Sequence, residues 1–323
     1  MQEMIRNKAL ELLKTGKADR VLAWRRGEFC YDVTPALFTD PEQLQKELVF
    51  DLFCAPNLSK SLIAESKKPG KTAVFLKSCD SYSLAQLCKE HRVDREKIYA
   101  VGVECHGTCD GESLRMAGIT APLRARAEGE TLVVDTLYGE NTVSKQDALL
   151  ERCRCCKSSR LVDCDEILGR QGEEHDSTRF DEVRRLQAMT TRERYDFWQT
   201  ELSRCIRCNA CRNVCPACSC EKCVFDNPAS GVENKGAANS FEEQLFHIIR
   251  AFHVAGRCTD CGECSRVCPQ HIPLHLLNRK LILDANELYG DYQAGADPDS
   301  RPPMMAFSPD DPEPDVIYGR TQP

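Results

Sequence analysis

Twenty-one of the 323 residues are cysteine, and their spacing carries the chemistry of the chain. Two segments repeat one another. CIRCNACRNVCP holds Cys205, Cys208, Cys211 and Cys215 before Pro216, and CTDCGECSRVCP holds Cys258, Cys261, Cys264 and Cys268 before Pro269. Each reads C-x2-C-x2-C-x3-C-P. Thiolates are soft donors suited to iron–sulfur chemistry. Three at x2 spacing on a tight turn wrap three corners of a cubane, and the fourth leads away to ligate the other one. The proline ends the loop and removes an amide the site does not need. The spacing predicts one [4Fe–4S] cluster on Cys205, Cys208, Cys211 and Cys268, and a second on Cys215, Cys258, Cys261 and Cys264. Two zinc sites would show C-x2-C pairs around tetrahedral ions, not a triple followed by C-P.

Further thiols lie outside this repeat. CPACSCEKC adds Cys218, Cys220 and Cys223. These form a candidate extra site, for another cluster or for zinc with one donor from elsewhere, such as Cys109 or another N-terminal cysteine. The alternative is free thiols packed near the clusters. The N-terminal half supplies Cys79 in KSCD, Cys105 and Cys109 in GVECHGTC, and Cys153, Cys155 and Cys156 in ERCRCC. The expected third-cluster ligands are Cys79, Cys105, Cys153 and Cys156, with Cys109 and Cys155 in reserve. Against this stands the packing of reduced cysteine as a small hydrophobe. Cys30, Cys54, Cys88 and Cys164 are isolated and read as structural. His106 reads as a polar loop residue. His271 and His275 read as helix-surface or cluster-side groups. Lys77 is either a counter-charge or a solvated lysine.

The elements that must position these groups follow from pattern. Met4, Ile5, Lys8, Leu12 and Leu13 outline an amphipathic helix. KTAVFL (71–76) and KIYAVGVE (97–104) read as strands around a helix whose cap is Asp80 or Ser81. On that helix Leu84, Leu87, Cys88 and His91 share a face. Strand–helix–strand over this length is a parallel βαβ unit. Cys79 and Cys105 then fall past the C-terminal strand ends, where open α/β sheets place ligands. TLVVDTL (131–137) reads as a third strand. Phe241, Leu245, Ile248, Ile249 and Phe252 mark one face of a helix after a loop at 226–240. The expected fold class is α+β. An α/β domain spans 1–170, a charged helical connection 171–195, an α-helical dicluster domain 196–290, and an extended or disordered tail 291–323. That tail holds seven of the 16 prolines and a net charge of −5, too little apolar surface for a core.

Composition narrows the function. Acidic residues outnumber basic ones by 50 to 43, giving a net charge of −7. That argues against nucleic acid as a partner. No apolar run reaches membrane length, and no export signal is legible, so a cytoplasmic location is expected. A reducing compartment leaves this many cysteines as metal ligands rather than disulfides.

The 42 residues between Cys215 and Cys258 make a long link. It resembles the α-helical ferredoxin domain of heterodisulfide reductase and of succinate dehydrogenase iron–sulfur subunits. The N-terminal LKSCDSYSLAQLCKEHRVDREKIYAVGVECHGTCD and ERCRCC, with CIRCNACRNVCPACSCEKC and GRCTDCGECSRVCPQHIPL, resemble the iron–sulfur β-subunit family of coenzyme-reducing hydrogenases and formate dehydrogenases. From the first to the last, these segments stretch over residues 76–274, about three fifths of the chain. The resemblance implies an electron-transfer subunit of a larger anaerobic oxidoreductase complex, relaying electrons through two to four clusters. It implies redox subunits as partners: a molybdenum or tungsten enzyme, a nickel–iron hydrogenase or a heterodisulfide-reductase-like flavoprotein. Members of the family often bind a flavin, FAD or FMN, and reduce a deazaflavin coenzyme. Here no G-x-G-x-x-G is found and the α/β part is short, which weighs against a flavin. The competing reading is a flavin-containing catalytic subunit exchanging electrons with a nicotinamide or deazaflavin coenzyme. A metal or redox sensor is disfavoured by the acidic balance. No general base, nucleophile or substrate pocket is legible, which suits a relay.

Overall fold

A computed structural model describes residues 1–227 and 240–303. Helix α1 (Gln2–Lys14) buries Ile5, Ala9 and Leu12 at helical spacing. It leads into the hairpin β1 (Arg20–Arg26) and β2 (Val33–Phe38). Helix α2 (Pro41–Glu47), capped by Asp40, the short strand β3 (Leu48–Val49) and helix α3 (Leu62–Glu65) follow. Then β4 (Thr72–Leu76), α4 (Ser78–Lys89) and β5 (Ile98–Val103) form the parallel βαβ unit. Every residue of β4 is buried, as expected of a central parallel strand covered on both faces.

Helix α5 (Gly111–Met116) precedes β6 (Pro122–Glu128), β7 (Thr131–Thr136) and β8 (Gly139–Ser144). Helices α6 (Lys145–Ala148) and α7 (Glu151–Arg154) lead to β9 (Glu166–Leu168). The main sheet runs β2-β1-β4-β5-β9, with β3 paired to β1. Its β1–β4, β4–β5 and β5–β9 pairings are parallel. One apolar core fills this half, with Trp24, Phe38, Phe75 and Leu76 fully enclosed.

The other half is helical: α8 (Asp181–Ala188), α9 (Thr191–Ser203), α10 (Ala210–Val214), α11 (Ser240–His253), α12 (Glu263–Arg266) and α13 (Leu274–Tyr289). Among the described residues no helix is long and apolar enough to cross a membrane. The α+β class holds: among the described residues the strands, interleaved with helices, end at Leu168, and the elements after it are helices.

Several expectations change. The strand at 131–137 is β7, but it pairs antiparallel with β6 and β8 in a separate sheet, because short turns join all three. Helix α4 starts earlier than read: Lys77 is its cap residue, and Asp80 at the third helical position accepts from the Lys77 amide at 3.4 Å. Cys79 therefore lies in the first helical turn. His91 lies beyond the helix end, exposed and left-handed at φ 54°.

Residues 171–180 are not helical. They run back along the 157–159 segment, with Ser159 and His175 amides donating to Glu173 and Lys157 carbonyls at 2.9 Å. The start of the acidic tail packs on this chain itself. Ala296 sits against Tyr82, Ala85 and Val162, and Arg160 donates to its carbonyl at 3.0 Å. Gly295 at φ 76° makes this possible, since a Cβ there would stand 1.9 Å from the Tyr82 carbonyl oxygen. Residues 304–323 of the tail, and most of the expected 226–240 loop, lie outside the described residues.

Helix α11 is turned from the expected orientation. Leu245, Ile248 and Phe252 are exposed, whereas Phe246, His247, Arg250 and Ala251 are buried. The polar side faces inward because it meets thiols and carbonyls. Arg250 Nη2 donates to the Cys211 carbonyl at 3.1 Å, and His247 Nε2 lies 3.3 Å from Cys205 Sγ.

Candidate metal centres

The two C-x2-C-x2-C loops share one backbone pattern. Arg207 and Asn209 in the first have φ 53° and 61°, and Asp260 and Gly262 in the second have φ 56° and 68°. Alternating left-handed residues turn successive amides toward one side, a concavity suited to anions. The Arg207 amide reaches Cys205 Sγ at 3.4 Å. Each loop runs into a short helix, α10 or α12, that carries the third cysteine.

Cys205, Cys208, Cys211 and Cys268 line one small cavity, closed by Phe246, His247 and Ile272. The second set surrounds Cys215. Cys258, Cys261 and Cys264 all lie within its electrostatic reach. The fourth cysteine of each repeat thus lies with the first three of the other, as the spacing predicts. Cys264 also feels Cys211, so the two sets adjoin.

In the N-terminal half, Cys79 stands at the start of α4 and Cys105 just beyond β5. Cys153 is carried by α7 and Cys156 by the turn after it. All four line a cavity of about 530 Å³. Cys105 lies within electrostatic reach of Cys153 and Cys156, and Cys79 of Cys105. The Thr108 amide and hydroxyl lie 3.4 and 3.3 Å from Cys153 Sγ. Cys261 of the helical half lines the same cavity. Cys155 also lines it, with its thiol turned to the Glu151 carbonyl and carboxylate at 3.2 and 3.1 Å. Cys109 does not line it. It is fully buried in the apolar core, its amide tied to the Leu52 carbonyl at 2.8 Å.

Burial pushes the Cys105 and Cys258 thiols up to about 12 and Cys264 up to about 11. Without metal these groups stay protonated at neutral pH, and a bound cation is what displaces the protons. Cys215 goes the other way: the hydrogen bond from Cys218 holds it below the ordinary thiol range.

Buried cations accompany the thiols. Lys77 is 1% exposed, with its ammonium 2.8 Å from Asp80 and 4.3 Å from the Trp24 ring centre. It is no solvated lysine, and Cys79 and Cys105 lie near it. Arg152 bridges the halves. Nη1 donates to the Cys261 carbonyl at 2.7 Å and Nη2 to the Ala55 carbonyl at 2.6 Å, and the guanidinium pairs with Glu263. Burial works against the Glu263 carboxylate, but Arg266 and Arg152 outweigh it and hold its carboxyl down to about 2. Asp260 takes Arg279 at 2.8 Å and Arg179 at 3.3 Å.

The Nε atoms of Arg152 and Arg250 are buried without a hydrogen-bond partner among the described residues. Four-thiol sets with spare buried cation donors fit a net-anionic iron–sulfur cluster. Pattern reading missed the arginines, since an isolated arginine reads as surface, whereas Lys77 was open to reading as a counter-charge.

A 4Fe-4S dicluster domain model matches residues 201–272. The F420-dependent formate dehydrogenase subunit beta of Methanocaldococcus jannaschii is 26% identical over 91% of this chain and 91% of its own length. The F420-dependent formate dehydrogenase 1 subunit beta of Methanococcus maripaludis is 24% identical over 92% of this chain and 91% of its own length. Over nine tenths of its length the chain is thus similar to formate dehydrogenase beta subunits, with the 4Fe-4S dicluster match lying inside it.

It is an electron-transfer subunit carrying multiple [4Fe–4S] clusters. Putative ferredoxin-3 of Sinorhizobium fredii is 32% identical over 24% of the chain and 75% of its own length. Among solved structures, a chain of the F420-reducing [NiFe] hydrogenase complex from Methanosarcina barkeri overlaps 46% of this chain and 58% of its own, at TM-score 0.35 and 16% identity.

Proposed function

We propose that this beta subunit holds three [4Fe–4S] clusters in a row. The ligands are Cys79, Cys105, Cys153 and Cys156 for one, Cys215, Cys258, Cys261 and Cys264 for the middle one, and Cys205, Cys208, Cys211 and Cys268 for the last. With domain limits proposed near residues 170 and 196, the first cluster belongs to the α/β half and the other two to the helical half. A [4Fe–4S] cluster supplies one-electron chemistry without a proton. The residues of this chain hold the groups, shield them from water and set their charge environment.

The observation that carries the reading is the shared position of Cys261. It belongs to the middle set and also lines the N-terminal cavity, while Cys211 and Cys264 join the middle set to the last. Among the described residues, each set thus shares or adjoins a thiol of the next.

The partner proposed is the catalytic subunit of a formate dehydrogenase, inside the cell. Full-length similarity to two formate dehydrogenase beta subunits supports it over a hydrogenase or heterodisulfide-reductase-like partner.

The test is iron and acid-labile sulfide on anaerobically purified complex. Cys208→Ala should lose about four iron per chain, one cubane's worth. Unchanged iron in that variant would overturn the assignment of the last cluster.

A further inference from the structure

We propose that Cys218, Cys220 and Cys223 hold a fourth iron–sulfur cluster, on three protein thiolates with its remaining iron turned into an open cavity. All three line one cavity of about 600 Å³, distinct from the two thiol-lined cavities described above. Pro216 follows Cys215, so the chain cannot continue α10 and coils through residues 217–223 instead. It is pinned at both ends. The Cys218 amide donates to the Cys215 carbonyl at 3.1 Å, and Phe225 packs on Phe246 of α11 with ring centres 4.6 Å apart.

The charge around this cavity suits an anionic occupant. Lys60, Arg212, Arg250 and Arg257 line it, against the carboxylates of Glu221 and Asp226. Arg212 is matched by Asp226 at 2.7 Å and Arg257 by Glu90 at 2.5 Å. Lys60 reaches across from the N-terminal half to the Cys218 carbonyl, and it has no carboxylate partner among the described residues. Its ammonium lies within electrostatic reach of Cys215, Cys218 and Cys220.

The spacing of the thiols favours a cluster over one ion. Cys223 lies against Arg212, whereas Cys218 and Cys220 lie against Lys60 and Arg257. Among the described residues, no three His, Cys, Asp or Glu side chains converge closely enough to hold a single metal ion. A cubane presents irons at separate corners and reaches thiols spread over a cavity wall, which a tetrahedral zinc does not. Cys109, the expected donor from the other half, is enclosed in the N-terminal core and does not line this cavity. Among the described residues no fourth cysteine lines this cavity, and the nearby Cys215 belongs to the middle set, so one corner stays open. The site adjoins the middle cluster through the Cys218–Cys215 thiol contact.

The inference extends the three-cluster reading. Iron, zinc and sulfide per chain should be measured on anaerobically purified wild-type complex and on its C220S and C223S variants. Four cubanes predict about 16 iron in wild type and about 12 in either variant. Cys220 is exposed, so its substitution spares the fold; C223S checks the same site from the other wall. The low-temperature electron paramagnetic resonance of the paired ferredoxin clusters should survive in both. Wild type at about 12 iron with variants unchanged would overturn the proposal. One zinc per chain, lost in both variants, would overturn it in favour of a mononuclear site. Failure of the underlying reading looks different: Cys208→Ala would then keep its iron.

Discussion

Replacing Arg152 with methionine removes a buried charge from the junction of two proposed clusters while keeping most of the side-chain stem. In the wild type the guanidinium side chain is 6% exposed and pairs with Glu263 at 2% exposed. Breaking such a pair costs about 3–5 kcal/mol, because the surviving charge stays buried. Arg266 still holds Glu263 through two contacts of 2.8 Å, which places the loss at the lower end. The Cys261 and Ala55 carbonyls each lose a donor, adding about 1 kcal/mol apiece. The sum is roughly 5 kcal/mol, and the double variant Arg152→Met/Glu263→Gln should recover part of it, since no lone charge remains.

The electrochemical effect has a definite sign. Arg152 lies within electrostatic reach of Cys79 and Cys153 on one side and Cys261 on the other. Its positive charge favours the reduced, more negative state of both clusters. A unit charge at about 8 Å and an effective dielectric of about 20 is worth roughly 2 kcal/mol. For one electron that is a fall of ~90 mV, at about 59 mV per tenfold change. A redox titration followed by electron paramagnetic resonance should show both junction clusters moving down together, and the outer ferredoxin cluster moving less. Arg152→Lys should restore most of the potential. Unchanged potentials in a folded, iron-replete Arg152→Met protein would refute the placement of this charge between two clusters.

Two other substitutions read the same geometry. Gly262→Ala puts a Cβ 2.8 Å from Arg152 Cδ at a residue with φ 68°. Left-handed backbone alone costs about 1–2 kcal/mol for alanine, so the urea midpoint for loss of cluster absorbance should fall clearly. Asn209→Gly at the equivalent position of the other repeat should shift it by a few tenths of a kcal/mol at most. Cys109→Ser should keep its full iron content yet lose about 1–3 kcal/mol, because a hydroxyl replaces a thiol in an apolar core. Cys156→Ser, by contrast, should drop about four iron per chain.

The helical half was the more legible of the two. Thiol spacing is a local property: each repeat brings three donors onto one turn, and φ values of 53–68° at matching positions build both loops alike. The βαβ unit was legible for a similar reason, since β4 is a short apolar run between clear breaks. Edge strand β9 went unread because it is three residues long and its partner β5 lies 65 positions away in the chain; the hairpin β1–β2 pairs locally but went unread because arginines and a proline interrupt its apolar pattern. Helix α11 was read with the wrong face inward. Periodicity ranks apolar side chains as buried, and it has no means of knowing that His247 and Arg250 would find thiols and a carbonyl to face. Lys77 was left undecided, since Asp80, the Pro56 carbonyl and the Trp24 ring that accept it come together only in the fold.

The sequence by itself determined the cofactor class and singled out the eight thiols proposed for two of the clusters, because short-range spacing limits which donors can share one turn. It also narrowed the N-terminal thiols to six. Tertiary structure decided which of those meet: Cys79, Cys105, Cys153 and Cys156 share a cavity, Cys155 turns to Glu151, and Cys109 enters the core. Tertiary structure alone also set Cys261 on that cavity and Arg152 between the two sets. Ligand spacing is written within a dozen residues of chain. The distance between one cluster site and the next is set by how two halves pack, across more than a hundred residues of sequence between Arg152 and Cys261.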